Sequence, residues 1–88
     1  MYKLMIAEDE ALARDAIMRM IDFAAYGFEV VAVCEDGQQA SEEYARLQPD
    51  LVITDINMPF VSGLELAARI DAAGLSTRVI IITGYDDF

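Results

Sequence analysis

The chain has 88 residues, 16 acidic and 6 basic, and a formal net charge of −10. This length allows one domain at most, and the negative field argues against direct binding to nucleic acid or to a membrane. One cysteine and no histidine exclude an internal disulfide and a histidine-dependent triad. Acidic residues interrupt the N-terminal apolar run too early for a signal peptide, so we expect a cytoplasmic location.

Short apolar runs alternate with stretches of helical period in the first half of the chain, as in a parallel sheet with helices on its faces. Residues 3–7 are predicted to form a buried strand, residues 11 to about 24 a helix, and residues 28–33 a second strand. The helix carries an apolar stripe that is expected to pack on the sheet. Its members are Ala13, Ala16, Ile17, Met20 and Ile21.

The second half of the chain repeats this alternation, with clearer helix starts. Asp36 with Gln39, and Ser62 with Glu65, have the spacing of capping boxes and predict the starts of two further helices. Between the helices, residues 51–54 form a compact apolar run that ends at Asp55. The last helix is predicted to end at Gly74, and residues 79–82 are predicted to form a fourth strand. The inward positions of the two helices are Ala40, Tyr44 and Leu47 in the first, and Leu64, Ala67 and Ile70 in the second.

Polar residues stand where three of the predicted strands end. Glu8 and Asp9 follow the first strand, Asp55 ends the third, and Thr83 follows the fourth. In an open parallel sheet these strand ends meet at one edge, where ligands bind. Two carboxylates about 4 Å apart repel by about 4 kcal/mol at an effective dielectric near 20, a cost that a bound cation would relieve.

Magnesium is the cation that this arrangement favours. Mg²⁺ takes one or two protein carboxylates and fills its shell with carbonyl, water and phosphate oxygens. Asp9, Asp55 and the backbone carbonyl of Asn57 fit that pattern. The alternative is structural: acids after a strand are often helix caps, the Asp55 segment could be a simple turn, and Thr83 an ordinary strand end.

The same residues resemble the receiver domain of bacterial two-component response regulators. The matching features are the acid pair Glu8 and Asp9, residues 55–59 (Asp-Ile-Asn-Met-Pro), the Ser62–Gly63 helix start, and Thr83. Residues 21–29 and 84–88 resemble the subgroup whose receivers are linked to AraC-type DNA-binding domains.

This resemblance implies a flavodoxin-like, doubly wound α/β fold with strand order 2-1-3-4 over the four predicted strands. Asp55 would accept a phosphoryl group from a sensor histidine kinase, and Thr83 would give its hydroxyl to that group as a switch. Asp9 would bind Mg²⁺ directly, Glu8 through a water, and Asn57 through its backbone carbonyl. The chain would then be a signalling domain rather than an enzyme, acting on DNA only through a transcription-regulating output domain elsewhere.

The resemblance also implies elements that residues 1–88 do not include. Receivers continue with a helix, a strand ending in a lysine, and a final helix, so we expect a partial receiver domain. The only lysine is Lys3, in the first strand, which puts efficient phosphorylation in doubt. The uncharged fourth strand would be an open edge, and the alternative is an inactive fragment that forms a homo-oligomer or domain-swapped dimer there.

A phosphatase of the haloacid dehalogenase type is a further alternative, because it also has an aspartate nucleophile after a strand. That family carries a second aspartate where this chain has Asn57.

Overall fold

The computed structural model describes residues 1–74 and 76–82, which form a four-stranded parallel sheet with helices on both faces. The elements in chain order are β1 (Tyr2–Ala7), α1 (Ala11–Met20), a 3₁₀ helix (Phe23–Tyr26), β2 (Phe28–Cys34), α2 (Gly37–Leu47), β3 (Leu51–Asp55), α3 (Gly63–Ala72) and β4 (Arg78–Ile82). The strand order is β2-β1-β3-β4. The predicted fold class and strand order are therefore confirmed.

The central strands β1 and β3 are buried because helices cover them on both sides. Leu4, Met5 and Ile6 have no exposed surface, which explains why β1 is an uninterrupted apolar run rather than an alternating one. Ala7, near the carboxyl end of β1, pairs with Cys34 of β2 and Thr54 of β3. This register brings the residues that follow these strands to one edge of the sheet.

Two separate apolar clusters pack on the two faces of the sheet. The α2/α3-side core contains Met5, Ala7, Cys34, Ala40, Tyr44, Val52, Val61, Leu66 and Ile70. Among the described residues, the α1-side core has Leu4, Ile6, Phe23 and Ile53 as its buried members. Cys34 is buried as a small apolar residue, and burial raises the pKa of its thiol to about 11, with further contributions from Glu43 and Asp36.

The first helix is shorter than predicted. It ends at Met20 rather than near Ala24, since Ile21 is extended and the Asp22 side chain accepts a hydrogen bond from the Ala25 N–H. Asp22 thereby caps a separate 3₁₀ helix. The expected stripe is wrong at its end: Met20 is 82% and Ile21 is 41% exposed, and Phe23 is the buried residue of this segment.

The predicted helix starts at Asp36 and Ser62 are confirmed. Asp36 accepts a hydrogen bond from Gln39 N at 2.7 Å, and Ser62 accepts one from Glu65 N at 3.1 Å. The return bond at α2 goes one residue further than in a capping box, because the Gln39 side chain accepts from Glu35 N.

The predicted inward face of α3 is correct at one position and wrong at another. Leu64 is 58% exposed, whereas Leu66 and Ile70 are 1% and 2% exposed. These two residues lie four apart, so they face the sheet together. None of the helices in the described part of the chain is long and apolar enough to cross a membrane.

Candidate functional site

Three carboxylates meet at the carboxyl edge of the sheet, beside the adjacent central strands β1 and β3. One carboxylate oxygen from each of Glu8, Asp9 and Asp55 lies within 4.8 Å of the others. Glu8 is buried, Asp55 is half-buried and Asp9 is exposed. We call these three residues the acidic cluster. The structure thus brings together three of the predicted site residues, with a graded access from solvent.

The structure changes the ionisation of Glu8. Its pKa is raised to about 7, mainly by burial; the Glu10 N–H lowers it, and a hydrogen bond with Asp9 and the charges of Asp55 and Asp9 add to the increase. That N–H donates to Glu8 Oε2 at 3.1 Å. A neighbouring cation would favour the ionised form of Glu8. A cation bound here would therefore promote loss of the Glu8 proton.

Asp55 is held through both its side chain and its backbone. Its Oδ1 atom accepts a hydrogen bond from Ile56 N at 2.9 Å, and its carbonyl accepts one from the Thr54 hydroxyl at 3.0 Å. A Cβ atom on Gly63 would lie 2.9 Å from the Asp55 carbonyl carbon, so only glycine fits behind it. The sequence pattern indicated Asp55 but not the supporting roles of Thr54 and Gly63.

Arg14 is a site residue that sequence reasoning missed. Its guanidinium donates to the carbonyl of Glu8 at 2.9 Å and to that of Asp9 at 3.2 Å, and it pairs with Glu35 at 3.2 Å. Its side chain is only 17% exposed. Arg14 thus ties the backbone that carries two acids of the cluster to the loop after β2.

Asn57 and Lys3 are not members of the acidic cluster. Asn57 is exposed in the segment between β3 and α3, next to the acidic cluster in sequence. Thr83 lies outside the described residues. Lys3 is near the opposite end of β1, where its ammonium group donates to the Leu47 carbonyl at 2.6 Å. Lys3 therefore holds the end of α2 and does not serve the cluster.

The response regulator receiver domain profile matches residues 4–88. The chain belongs to the response regulator receiver domain family. This assignment makes it a signalling domain, in contrast to the phosphatase alternative.

Relatives and solved structures support the same assignment for this receiver domain. The transcriptional regulatory protein HptR of Staphylococcus aureus is 39% identical over the whole chain. A DNA-binding response regulator of the LuxR family from Staphylococcus aureus superposes with a TM-score of 0.87 and 35% identity, covering 97% of this chain and 70% of that one. A two-component transcriptional regulator AraC from Clostridium phytofermentans has a TM-score of 0.86 and 30% identity, covering 99% of this chain and 70% of that one. The chain spans 24% to 34% of the length of the curated relatives that it matches.

Proposed function

We propose that Asp55 accepts a phosphoryl group from the phosphohistidine of a sensor histidine kinase in a Mg²⁺-dependent reaction. The observation that carries this proposal is the convergence of Glu8, Asp9 and Asp55 within 4.8 Å at the carboxyl edge of the sheet. A half-buried aspartate is accessible to a donor, while its two acidic neighbours can hold the cation that the reaction needs.

The donor set fits Mg²⁺. It consists only of oxygens, which hard divalent cations prefer, and Mg²⁺ is usually held by one or two carboxylates while water fills the rest of its shell. Asp9 and Asp55 would bind the ion directly and Glu8 through a water, with the Asn57 carbonyl as the last protein ligand. Bound Mg²⁺ would neutralise the cluster and the charge on the incoming phosphoryl group.

The chain's own contribution to the reaction is to orient the nucleophile. The Ile56 N–H holds Asp55 Oδ1 at 2.9 Å, which fixes the plane of the carboxylate. A carboxylate oxygen of Asp55 attacks the phosphorus as the P–N bond of phosphohistidine breaks, and the electron pair of that bond returns to the imidazole nitrogen. Thr83 is proposed to donate its hydroxyl to the phosphoryl group after transfer, so that the new charge biases the following loop.

The biological role that we propose is control of an attached transcription-regulating output domain. HptR is named a transcriptional regulatory protein, and the chain covers 34% of its length. Solved neighbours include regulators of both the LuxR and AraC families, and we propose an AraC-type output domain on the resemblance of residues 21–29 and 84–88. The net charge of −10 disfavours direct DNA contact by the receiver domain. A cytoplasmic location stays a prediction.

A small acyl phosphate tests the phosphoacceptor role without knowledge of the kinase. Incubation of the chain with acetyl phosphate and Mg²⁺, followed by intact mass measurement, is expected to show one added phosphoryl group. The adduct should be absent from Asp55→Asn and retained in Asp71→Asn, a control that removes one exposed acid on α3. An adduct that persists in Asp55→Asn would refute the assignment of Asp55.

A second proposal is self-association of the 88-residue chain through β4. Within the described residues β4 pairs only with β3, and Ile80 on this strand is 50% exposed. An unpaired edge with an exposed apolar side chain can pair with another strand. The net charge opposes this association, so added salt should strengthen it.

Light scattering at high protein concentration tests this second proposal. We expect a dimer or larger species that Ile80→Glu dissociates, while Val33→Glu on β2, at the other edge of the sheet, leaves it intact. A monomer at all concentrations would refute self-association and leave the phosphoacceptor proposal untouched.

A further inference from the structure

The segment between β3 and α3, residues 56–62, carries the carbonyl of Asn57, so its backbone geometry decides where that oxygen lies. At its ends, Gly63 N donates to the Ile56 carbonyl at 2.9 Å, and Val61 N donates to the Pro59 carbonyl at 2.8 Å. Val61 is only 6% exposed and packs in the α2/α3-side core. The segment is thus folded on itself and pinned to the core.

Gly37, in the first turn of α2, contacts residues 59–61 of this segment. Its N–H donates to the Pro59 carbonyl at 3.1 Å. A Cβ atom on Gly37 would overlap the carbonyl oxygen of Val61 and lie 2.6 Å from the Val61 Cβ. No side chain fits this position unless the helix or the segment moves.

The helix is the less movable of the two partners. Its start is fixed by the Asp36 cap, and its inner face buries Ala40 and Tyr44 in the α2/α3-side core. The segment is held by backbone hydrogen bonds, by buried Val61 and by half-buried Met58, while Asn57, Pro59 and Phe60 are exposed. A side chain at position 37 would therefore displace the segment rather than the helix.

We propose that Gly37 is a positioning residue for the metal site: its close contact with residues 59 and 61 sets the Asn57 carbonyl where Mg²⁺ requires a ligand. This inference rests on the proposed Mg²⁺ site. It assigns part of the ion's affinity to a glycine on another element of the fold, which offers the ion no ligand atom.

The choice of ion gives the proposal a distinctive consequence. Mg²⁺ demands near-ideal octahedral geometry, whereas Ca²⁺ accepts irregular and larger shells. A displaced Asn57 carbonyl should therefore weaken Mg²⁺ binding more than Ca²⁺ binding. A general loss of stability would not change the ratio of the two affinities when both are measured on fully folded protein.

The first experiment compares Gly37→Ala with Gly27→Ala by calorimetric titration of each ion. Gly27 has a φ of +84° and nothing within 4 Å of an added Cβ, so its substitution strains the backbone far from the site. We expect Gly37→Ala to bind Mg²⁺ about tenfold or more weakly, as for other residues that support metal ligands. Its Ca²⁺ affinity should change less, and Gly27→Ala should match the wild type for both ions.

The second experiment needs no variant and covers the case in which Gly37→Ala does not fold. Coupling is reciprocal, so if the Gly37 contact favours Mg²⁺, then bound Mg²⁺ must stabilise the contact. Hydrogen exchange followed by NMR should show slower exchange of the Gly37 amide with Mg²⁺. The Gly27 amide, which donates to Ala24 and Phe23 carbonyls in the 3₁₀ helix, should not change.

The outcomes separate this inference from the function on which it rests. If the wild type binds Mg²⁺ in an Asp55-dependent way but Gly37→Ala binds equally well, the role of Gly37 is refuted and the metal site stands. The role of Gly37 is likewise refuted if Mg²⁺ leaves the exchange of its amide unchanged. Absence of Mg²⁺ binding in the wild type would overturn both.

Discussion

The two faces of the sheet differ in how completely they are packed. Among the described residues, nine buried apolar side chains form the α2/α3-side core and four form the α1-side core. Helix α1 contributes no buried residue, and its Leu12 and Met20 are each 82% exposed. Within the described residues, the sheet therefore carries a larger apolar core on its α2/α3 side than on its α1 side.

This difference extends to the two loops that build the acidic cluster. The loop after β3 is anchored by Val61 in the larger core and by close backbone contacts at Gly37 and Gly63. The loop after β1 leads into α1, and its carbonyls are tied by the guanidinium of Arg14. The loop that follows Asp55 is thus anchored by apolar packing and close backbone contacts, whereas the loop that carries Glu8 and Asp9 is held more by polar contacts.

The largest expected effect is a difference in the free energy of unfolding between leucine substitutions on α3 and on α1. Leu66 on α3 is 1% exposed, and Leu66→Ala is expected to lower the free energy of unfolding by about 3 kcal/mol. The matched change Leu12→Ala on α1 removes an exposed side chain and should alter it by less than about 0.5 kcal/mol. Urea denaturation followed by circular dichroism measures both, and equal losses would contradict the difference in burial between Leu66 and Leu12.

The raised pKa of Glu8 predicts a specific dependence of stability on pH. The folded protein holds the Glu8 proton up to about pH 7, whereas the unfolded chain releases it near the ordinary pKa of 4.5. The folded state therefore binds more protons between these values, and the free energy of unfolding falls as pH rises through this window. At about pH 8, Glu8→Gln should be more stable than the wild type by roughly 2 kcal/mol.

The control for this pH prediction is Glu10→Gln, an exposed neighbour of the cluster. At about pH 4 the Glu8→Gln and wild-type proteins should be equally stable, because Glu8 is protonated in both states. Saturating Mg²⁺ should remove the wild type's disadvantage at higher pH. A constant difference between the two proteins across the whole pH range would contradict the prediction.

Much of this site could be predicted from sequence, because an acid directly after a buried strand of a parallel sheet must lie at the carboxyl edge of that sheet. Glu8, Asp9 and Asp55 were indicated in this way. Arg14 was not, since its contacts with the Glu8 and Asp9 carbonyls depend on the angle at which α1 leaves the sheet. Gly37 was also missed, because its signal is a close approach to Val61, which lies far away in sequence.

The boundaries of the elements show the same limit. The caps at Asp36 and Ser62 are local hydrogen bonds and were predicted correctly. The end of α1 depends on a competition between continued helix and the local cap at Asp22, which periodicity alone does not reveal. Likewise the burial of Leu66 instead of Leu64 depends on how α3 is rotated against the sheet.

Substitution of Arg14 tests whether polar contacts hold the loop after β1. Arg14→Lys keeps the charge but loses the planar fork that reaches the Glu8 and Asp9 carbonyls at 2.9 and 3.2 Å. We expect Mg²⁺ to bind a few-fold more weakly and the protein to lose about 1 kcal/mol of stability. Calorimetric titration and urea denaturation measure the two effects.

Glu35→Gln supplies the matched control for Arg14, because it weakens the ion pair with an exposed partner and leaves both carbonyl contacts in place. It should cost less than Arg14→Lys. If Arg14→Lys instead left Mg²⁺ binding and stability unchanged, the Arg14 contacts with the Glu8 and Asp9 carbonyls would have no role in positioning the loop.

The smallest effect is expected at Phe60, in the firmly held loop. Phe60 has a φ of 71° and is 77% exposed, in a turn closed by the bond from Val61 N to the Pro59 carbonyl. A left-handed conformation costs a residue with a side chain about 1–2 kcal/mol, part of which glycine gives back through its freer unfolded state. Phe60→Gly should therefore be about 0.5 kcal/mol more stable than the wild type in urea denaturation. Phe60→Ala should not be more stable than the wild type. Equal effects of the two substitutions would argue against strain at this turn.

The central claim is that the acidic cluster is a Mg²⁺ site built around Asp55. Calorimetric titration of Mg²⁺ at about pH 8, above the pKa of Glu8, tests it most directly. We predict saturable binding of one ion to the wild type and to Glu42→Gln, which removes an exposed acid on α2. Binding should be largely lost in both Asp9→Asn and Asp55→Asn. Identical titration curves for the wild type and Asp55→Asn would contradict the account.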